Sequence, residues 1–174
     1  MASELTFEGI ADAGRAIVDA HKKKRGFEEG IRRLLSELYP DNAHFIYELL
    51  QNAEDANATV VEFDLSTDSL AVRHNGTRHF SLRDIDSITN IGDSTKKDDP
   101  TQIGKFGVGF KAVYSYTNRP EIRSGQYSFA IEDLFVNKSL PGHASDNWTS
   151  FLFPFNREDK PASTACSEVA RALG

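Results

Sequence analysis

The hydrophobic and polar positions along the chain predict a fold that contains both helices and strands. Apolar residues at helical spacing predict helices over residues 6–24, 27–39 and 163–173, and Ser81 opens a further short helix. Residues 93–102 are polar, charged and interrupted by a proline, which indicates a mobile lid. Runs rich in β-branched and aromatic residues predict strands over the following segments: 59–65, 70–73, 121–123, 127–131 and 150–155.

A polar stripe runs along the helix predicted over residues 48–56. At about 100° per residue, Glu48, Asn52 and Asp55 fall on one narrow stripe. A neighbouring stripe is apolar and can pack into a core, so the helix can direct the three polar groups into a cleft. A neutral amide oxygen suits Mg²⁺, and a carboxylate one turn away can accept a proton from an attacking water. An amphipathic helix with a solvated polar face is the alternative.

A glycine-rich loop lies further along the chain. Gly104, Gly107 and Gly109 form a G-x-x-G-x-G pattern, and glycines let a backbone approach a ligand closely. Residues 110–116 can continue as a helix whose start offers free N–H groups to an anion, and Lys105 adds a positive charge. No P-loop pattern is present and no strand leads into the loop, so the context of a dinucleotide fingerprint is missing. A glycine hinge without a ligand is the alternative.

Together the two motifs resemble the N box and a glycine box of the GHKL ATPases, the superfamily of DNA gyrase, heat-shock chaperones, histidine kinases and MutL-type repair proteins. The resemblance is greatest to the sacsin and No Vein group of chaperone-like ATP-binding domains, where segments like 48–56, 96–100 and 104–110 occur in this order. It covers about residues 30–155. The resemblance implies an α+β fold of the GHKL (Bergerat) type, a two-layer α/β sandwich with helices on one face of a mixed, largely antiparallel sheet.

The resemblance also implies roles for individual residues. Glu48 corresponds to the general base that activates water, and Asn52 corresponds to the Mg²⁺ ligand at the ATP site. The glycine box is expected to hold the phosphates, and the threonine at the start of the last strand is expected near the adenine. The further ATP-binding residues implied in this way are Asp55, Asn90, Lys97, Gly104, Lys105, Gly107, Val108, Gly109, Phe110 and Thr149.

One stretch departs from the superfamily pattern. The usual Asp-x-Gly-x-Gly motif has an aspartate that receives the adenine amino group, whereas here His74 stands at that position, followed by Asn75 and Gly76. The second glycine is absent, and Arg78 lies nearby. An asparagine carbonyl or a neutral histidine nitrogen can accept the same hydrogen bond without charge. We therefore expect these residues to form an adenine-binding end that discriminates poorly between bases; ordinary turn residues are the alternative.

Composition and charge narrow the class of protein. The 174 residues carry a net charge of −6 and are 39% hydrophobic, which is typical of one soluble globular domain. The charge argues against a nucleic-acid binder, although the basic run at residues 21–25 could contact phosphates. The single Cys166 excludes an internal disulfide. Because no apolar run suits a membrane span and no signal-peptide pattern is visible, we expect an intracellular location, cytoplasmic or nuclear.

The sequence predicts three segments and one leading function. Residues 1–26 are expected to form an N-terminal helical extension, 27–158 the GHKL ATP-binding domain, and 159–174 a C-terminal helix or a linker to a further domain. The predicted function is that of a Mg²⁺-dependent ATPase module that binds ATP and ADP and is slow in isolation. Further domains of the same chain, or dimerisation, are expected to complete the site. The alternatives are a nucleotide-sensing interaction module without appreciable hydrolysis and a phosphotransferase of the histidine-kinase type.

Overall fold

The computed structural model describes residues 5–22, 26, 30, 44–90, 109–142 and 147–174. Within these residues the chain forms four α-helices, one 3₁₀ helix and six strands. The helices are α1 (Phe7–Lys22), α2 (His44–Asp55), α3 (Leu82–Thr89) and α4 (Ala162–Leu173), with the 3₁₀ helix at Phe110–Ser115. The strands are β1 (Val61–Leu65), β2 (Ser69–His74), β3 (Glu121–Ser124), β4 (Tyr127–Glu132), β5 (Val136–Ser139) and β6 (Thr149–Pro154).

The six strands form one sheet in the order β1-β2-β6-β3-β4-β5, and every pair is antiparallel. The expectation of a mixed sheet is therefore wrong for the described residues. Short connections explain three of the five antiparallel pairs, because only a few residues join β1 to β2, β3 to β4 and β4 to β5, and parallel neighbours need a long crossover. Strand β6 lies between β2 and β3 and joins the two halves into one sheet.

The helices cover one face of this sheet. Phe151 of β6 pairs with Val72 of β2 and Ile122 of β3, so an apolar row crosses the three central strands. The 3₁₀ helix packs on this row, with the ring centroids of Phe110 and Phe151 6.3 Å apart. Because side chains alternate along a strand, the neighbouring positions lie on the other face. The charged residues on that face include Glu62, Arg73, Glu121 and Arg123.

The helices at the two ends of the chain pack on the same body. Helix α1 buries Ile10, Ala11 and Gly14 beside β5, and α4 buries Ala165 and Val169 beside β1 and β2. One hydrophobic cluster includes residues from both helices and from the sheet. None of the helices in the described ranges is long and apolar enough to cross a membrane.

Most predicted elements are confirmed to within a few residues. The helices predicted at 6–24 and 163–173 are α1 and α4, the helix opened by Ser81 is α3, and the five predicted strands are β1 to β4 and β6. Strand β5 was not predicted, because Val136 is its single apolar residue. The predicted lid, and the helix predicted over 27–39 apart from Gly30, lie outside the described residues.

Candidate functional site

A row of polar residues crosses the helix-covered face of the sheet where its apolar rows end. His74, the last residue of β2, pairs with Thr149, the first residue of β6. The hydroxyl group of Ser124, the last residue of β3, lies 2.6 Å from the Thr149 hydroxyl group. All three residues are at most 3% exposed. The sheet therefore presents a buried polar edge to the elements that cover it.

The hydrogen bonds of His74 fix the position of its proton. The backbone N–H of Gly76 donates to His74 Nδ1 at 3.1 Å, so Nδ1 is an acceptor and carries no hydrogen. Burial, and to a smaller extent the neighbouring His79, lower the pKa of His74, so the ring is neutral near pH 7. A neutral imidazole has one N–H, and that N–H is on Nε2. In this arrangement His74 presents a donor to the pocket, whereas the sequence suggests an acceptor at this position.

The polar row forms one wall of a narrow pocket under α2. The pocket brings together three of the predicted site residues, Asn52, His74 and Thr149. Its volume of about 10 Å³ has room for about one water molecule, so a purine base requires it to widen. Arg78 is the most exposed wall residue, with 52% of its side chain open to solvent. The complete lining is Asn52, Ala56, His74, Arg78, His79, Phe80, Asp84 and Thr149.

The acidic wall of the pocket belongs to the start of α3 and was not predicted. Asp84 Oδ1 accepts from Arg78 Nη2 at 2.8 Å. Its Oδ2 accepts from the backbone N–H and the hydroxyl group of Ser81 at 2.8 and 2.7 Å. Ser81 and Asp84 form a capping box at the helix start. The Ser-x-x-Asp spacing is a known signal of such a cap, and it could have identified Asp84 as a fixed, buried carboxylate.

Glu48 lies two turns from the C-terminal end of α2, on the same polar stripe as Asn52. Its Oε1 is 3.2 Å from His44 Nε2, and its side chain is 25% exposed. A Cβ atom added to Gly109 would overlap the Glu48 carboxyl group. The last glycine of the glycine box therefore touches the predicted general base. The contact from His44 was not predicted, although i,i+4 spacing on a helix is a recognised signal for it.

Asn52 lies one turn from Glu48 and is 5% exposed. Its side-chain amide forms no hydrogen bond within the part of the chain that the structure describes. Buried amides are normally hydrogen-bonded, so a ligand in the pocket is a natural partner. Among the described residues there is no group of three or more histidine, cysteine or acidic side chains that could hold a metal. Asn52 remains the predicted metal ligand of the site.

Asn75 and Gly76, from the stretch that departs from the superfamily pattern, make contacts within the protein. Asn75 Oδ1 accepts from the backbone N–H groups of Thr59 and Val60, each at 2.9 Å. Both lone pairs of this oxygen are used in holding the entry to β1, so it has little left for a base. Gly76 lies against the end of α2, and a Cβ there would be 2.7 Å from the Ala56 Cβ. The close packing against Ala56 explains why a glycine stands at position 76.

Several predicted site residues are not brought to the pocket. Asp55 is exposed at the end of α2. Asn90 ends α3 and donates from Nδ2 to Asp86 Oδ1 at 2.8 Å. The Phe110 side chain is 2% exposed within the core, so only its backbone could meet a ligand. Five further predicted residues lie outside the described residues: Lys97, Gly104, Lys105, Gly107 and Val108.

A buried cation lies on the 3₁₀ helix that follows the glycine box. Lys111 is 4% exposed, and its Nζ donates to the backbone carbonyl of Ile88 in α3 at 3.2 Å. Burial lowers its pKa to about 8. Lys111 therefore connects the 3₁₀ helix to α3. Its ammonium group loses its proton at a lower pH in the folded state than in water.

A larger groove lies away from these residues, between α1 and β5. Its volume is about 700 Å³, and its walls carry both signs of charge, including Arg15 and Glu132. Asn137 in this groove donates from Nδ2 to the backbone carbonyl of Phe7 at 2.9 Å. None of the predicted site residues lines this groove. The predicted nucleotide site therefore lies in the smaller pocket under α2 and not in this larger groove.

The sequence is similar to two much longer proteins. It is 30% identical over 154 residues to Protein NO VEIN of Arabidopsis thaliana, which covers 82% of this chain and 6% of that protein. It is 38% identical over 144 residues to Sacsin of Homo sapiens, which covers 68% of this chain and 3% of that protein. The chain thus spans only a few per cent of the length of these relatives.

The fold is similar to that of a solved structure described as the N-terminal domain of a DNA repair protein. The TM-score is 0.60 at 15% sequence identity, over 84% of this chain and 48% of that one. At this identity the similarity concerns the fold, and it agrees with the α+β architecture described above. A family profile, that of the Sacsin domain, matches residues 64–150, half of the chain. With this match and the two relatives, the chain belongs to the Sacsin domain family.

Proposed function

We propose that this domain is a nucleotide-binding module of the GHKL (Bergerat) type that binds a nucleoside triphosphate with Mg²⁺ along α2 and hydrolyses it slowly. The contact between the Glu48 carboxyl group and Gly109 carries the proposal, because it joins the acidic stripe of α2 to the end of the glycine box. The motif order and the similarity in fold to a DNA repair domain support the same conclusion. The resemblance of the motifs to those of ATP-binding domains suggests a purine nucleoside triphosphate such as ATP.

The arrangement along α2 suggests an orientation for the nucleotide. The base would enter the pocket at His74 and Thr149, and the phosphates would extend toward Glu48 and Gly109. Ala56 at the pocket wall follows Glu48 by eight positions, which is about 12 Å along a helix at 1.5 Å per residue. Asn52 lies midway, so its amide faces the part of the ligand between base and terminal phosphate. The glycine-box residues 104–108 remain predicted phosphate ligands.

The Asn52 amide oxygen suits Mg²⁺, because Mg²⁺ prefers oxygen ligands and is usually shared with substrate phosphates and water. When bound, the metal would neutralise phosphate charge. Within the described residues the amide has no other hydrogen-bond partner, and it is buried, so it can be directed at a ligand without breaking an existing contact.

Glu48 has the chemistry of a general base. Its carboxylate would accept a proton from a water molecule as the water oxygen bonds to the terminal phosphorus and the bond to the nucleoside diphosphate breaks. Gly109 has no side chain and leaves space for the carboxyl group at the loop. His44 contacts one carboxylate oxygen and so restricts its rotation.

A module that binds nucleotide without appreciable turnover is the second candidate. The His44 contact favours it, because a carboxylate oxygen that already accepts a hydrogen bond is a weaker base toward water. The two candidates share every binding result and differ only in hydrolysis.

Calorimetric titration of this chain with ATP, with and without Mg²⁺, tests the binding proposal. Asn52→Ala is expected to remove most of the gain in affinity that Mg²⁺ provides, while the far-UV spectrum stays unchanged. Gln51→Ala is the matched control, because Gln51 is the neighbouring exposed amide on α2. If Asn52→Ala and Gln51→Ala bind ATP equally well and with equal dependence on Mg²⁺, the metal-ligand assignment is wrong. If the parent chain binds no nucleotide, the whole proposal is wrong.

A further inference from the structure

The hydrogen-bonding groups at the base end of the pocket differ in kind from a carboxylate. Because Gly76 N–H donates to His74 Nδ1, the free nitrogen of the ring, Nε2, carries a hydrogen and can only donate. Nε2 forms no hydrogen bond to any residue in the described parts of the chain. His74 lines the pocket and is 3% exposed. The ring thus offers one fixed, uncompensated donor to whatever enters.

The acidic residue of the lining does not replace that donor with an acceptor. Asp84 is the one carboxylate among the pocket residues that the structure describes. Its two oxygens already receive three hydrogen bonds, from Arg78 Nη2 and from the backbone N–H and hydroxyl group of Ser81. These contacts cap α3 and hold the turn before it. Three of the roughly four acceptor positions of this carboxylate are therefore used by the protein, whereas the His74 Nε2–H donor is unused.

The other side chains near His74 do not reverse this preference. The Thr149 hydroxyl group shares a hydrogen with Ser124, and the Asn52 amide can either donate or accept. The Arg78 guanidinium can only donate. His79 Nδ1 is buried without a hydrogen-bond partner in the described structure, and because no contact fixes its proton it can either donate or accept. The strongest fixed requirement of the pocket is an acceptor on the ligand that faces His74.

Resting on the proposed function, we infer that the pocket selects 6-oxopurine nucleotides, such as inosine and guanosine triphosphates, over ATP. A 6-oxopurine presents a carbonyl oxygen at C6, which can accept from His74 Nε2–H. Adenine presents an amino group at the same position, so two donors would face each other in a buried site. Leaving a buried donor without an acceptor is expected to weaken binding roughly 5- to 150-fold.

The test compares ITP with ATP on the unmodified chain. The two nucleotides share the ribose and the phosphates and differ at C6 and in the proton on N1. Calorimetric titration in the presence of Mg²⁺ is expected to show ITP and GTP binding more tightly than ATP. Because the parent chain is used, no result depends on a variant that folds poorly.

The substitution His74→Asp reverses the chemistry of the wall and provides the second measurement. It replaces the Nε2–H donor with a shorter carboxylate that can only accept, and the order is expected to change to ATP above ITP. The matched control is His21→Asp at the end of α1, outside the pocket, and it is expected to keep the order of the parent chain.

The outcomes separate the two levels of the proposal. If ATP binds the parent chain as tightly as ITP or more tightly, the inference is overturned while nucleotide binding stands. That result would mean that adenine shifts to place its N1 acceptor at His74 or that Asp84 receives the amino group. If neither nucleotide binds, the proposed function fails instead. A reversal in His74→Asp with no change in His21→Asp supports the inference.

Discussion

At the scale of single residues, two glycines are explained by contacts inside the protein. Gly109 has φ −68° and ψ −39°, a conformation open to any residue, so backbone freedom does not require glycine there. The requirement is space, because a Cβ would overlap the Glu48 carboxyl group. Gly76 is likewise packed against Ala56, the residue that follows α2. We expected glycine at 109 to make room for a phosphate, and the described contact is with the predicted base.

This contact makes a specific prediction for Gly109→Ala. The overlapping group is the end of a flexible side chain, so Glu48 can rotate away without disrupting the fold. Phosphate release is expected to fall toward the level of Glu48→Gln, by up to about 10²–10⁴-fold for the loss of a general base. Affinity for Mg²⁺–nucleotide is expected to change little, because the base acts in the transition state.

The control for this substitution is Gly30→Ala, where an added Cβ meets no atom of the described residues within 4 Å. Steady-state phosphate release and calorimetric affinity should be measured on both variants. A Gly109→Ala protein that loses nucleotide affinity but keeps its turnover per bound nucleotide would show that the glycine makes room for the ligand instead of for Glu48.

Some residues of the site could be placed together from the sequence, and others could not, because their contacts depend on distant parts of the chain. Glu48 and Asn52 were predicted on one stripe because the period of a helix fixes their relation along α2. The row of His74, Thr149 and Ser124 was only partly predicted, because strand register across β2, β6 and β3 brings it together. The proton on His74 depends on a turn closing back from Gly76, which spacing alone does not reveal.

At the scale of elements, hydrophobic patterns predicted α1, α3, α4 and five strands, and failed where a short polar strand follows an unusual turn. Asp133 and Leu134 have φ of 51° and 70°. Such positive φ values are usual for Gly and Asn in hairpin turns, so Asp-Leu does not signal a turn. With Asn137, Lys138 and Ser139 polar, β5 is visible only through its pairing with β4.

The capping box of α3 allows a prediction at this scale. Ser81→Ala removes the hydroxyl group that bonds with both the Asp84 backbone and its carboxylate. The loss of a helix cap is expected to lower the free energy of unfolding by about 0.5–2 kcal/mol. Urea denaturation measures the change. Ser167→Ala within α4 is the control, because its hydroxyl group bonds only to the carbonyl one turn before it, and a loss as large as that of Ser81→Ala would contradict the assignment.

The contact between the 3₁₀ helix and α3 predicts a dependence on pH. Burial lowers the Lys111 pKa from its ordinary 10.5 to about 8 in the folded state. Between these two values the unfolded chain binds more protons than the folded chain, so the free energy of unfolding contributed by Lys111 rises with pH. At 1.36 kcal/mol per pKa unit the rise is about 3 kcal/mol from pH 8 to 10.5.

Comparison with Lys111→Met isolates this contribution from other titrating groups. The difference in unfolding free energy between the parent chain and Lys111→Met should be constant below pH 7.5 and should increase in favour of the parent above it. Urea denaturation at a series of pH values gives this difference. A difference that stays flat across pH 8 to 10 would show that Lys111 keeps its ordinary pKa in the folded state.

At the scale of the whole molecule, the sheet and α2 form a site at one end of the domain, while the larger groove lies between α1 and β5. The proposed site is narrow, so nucleotide binding must widen the pocket, and the exposed Arg78 is the wall residue best placed to move. A nucleotide bound in this pocket would contact α2, the polar edge of the sheet and the start of α3. Nucleotide is therefore expected to raise the free energy of unfolding with the logarithm of its concentration relative to its dissociation constant.

The central claim is that a nucleotide lies along α2, and a crystal structure of this chain with Mg²⁺ and a non-hydrolysable nucleoside triphosphate tests it most directly. We predict the metal on Asn52 Oδ1, the terminal phosphate beside Glu48 and Gly109, and the base against His74 and Thr149. A nucleotide seated in the groove between α1 and β5, or one whose phosphates lie at the His74 end, would contradict the claim.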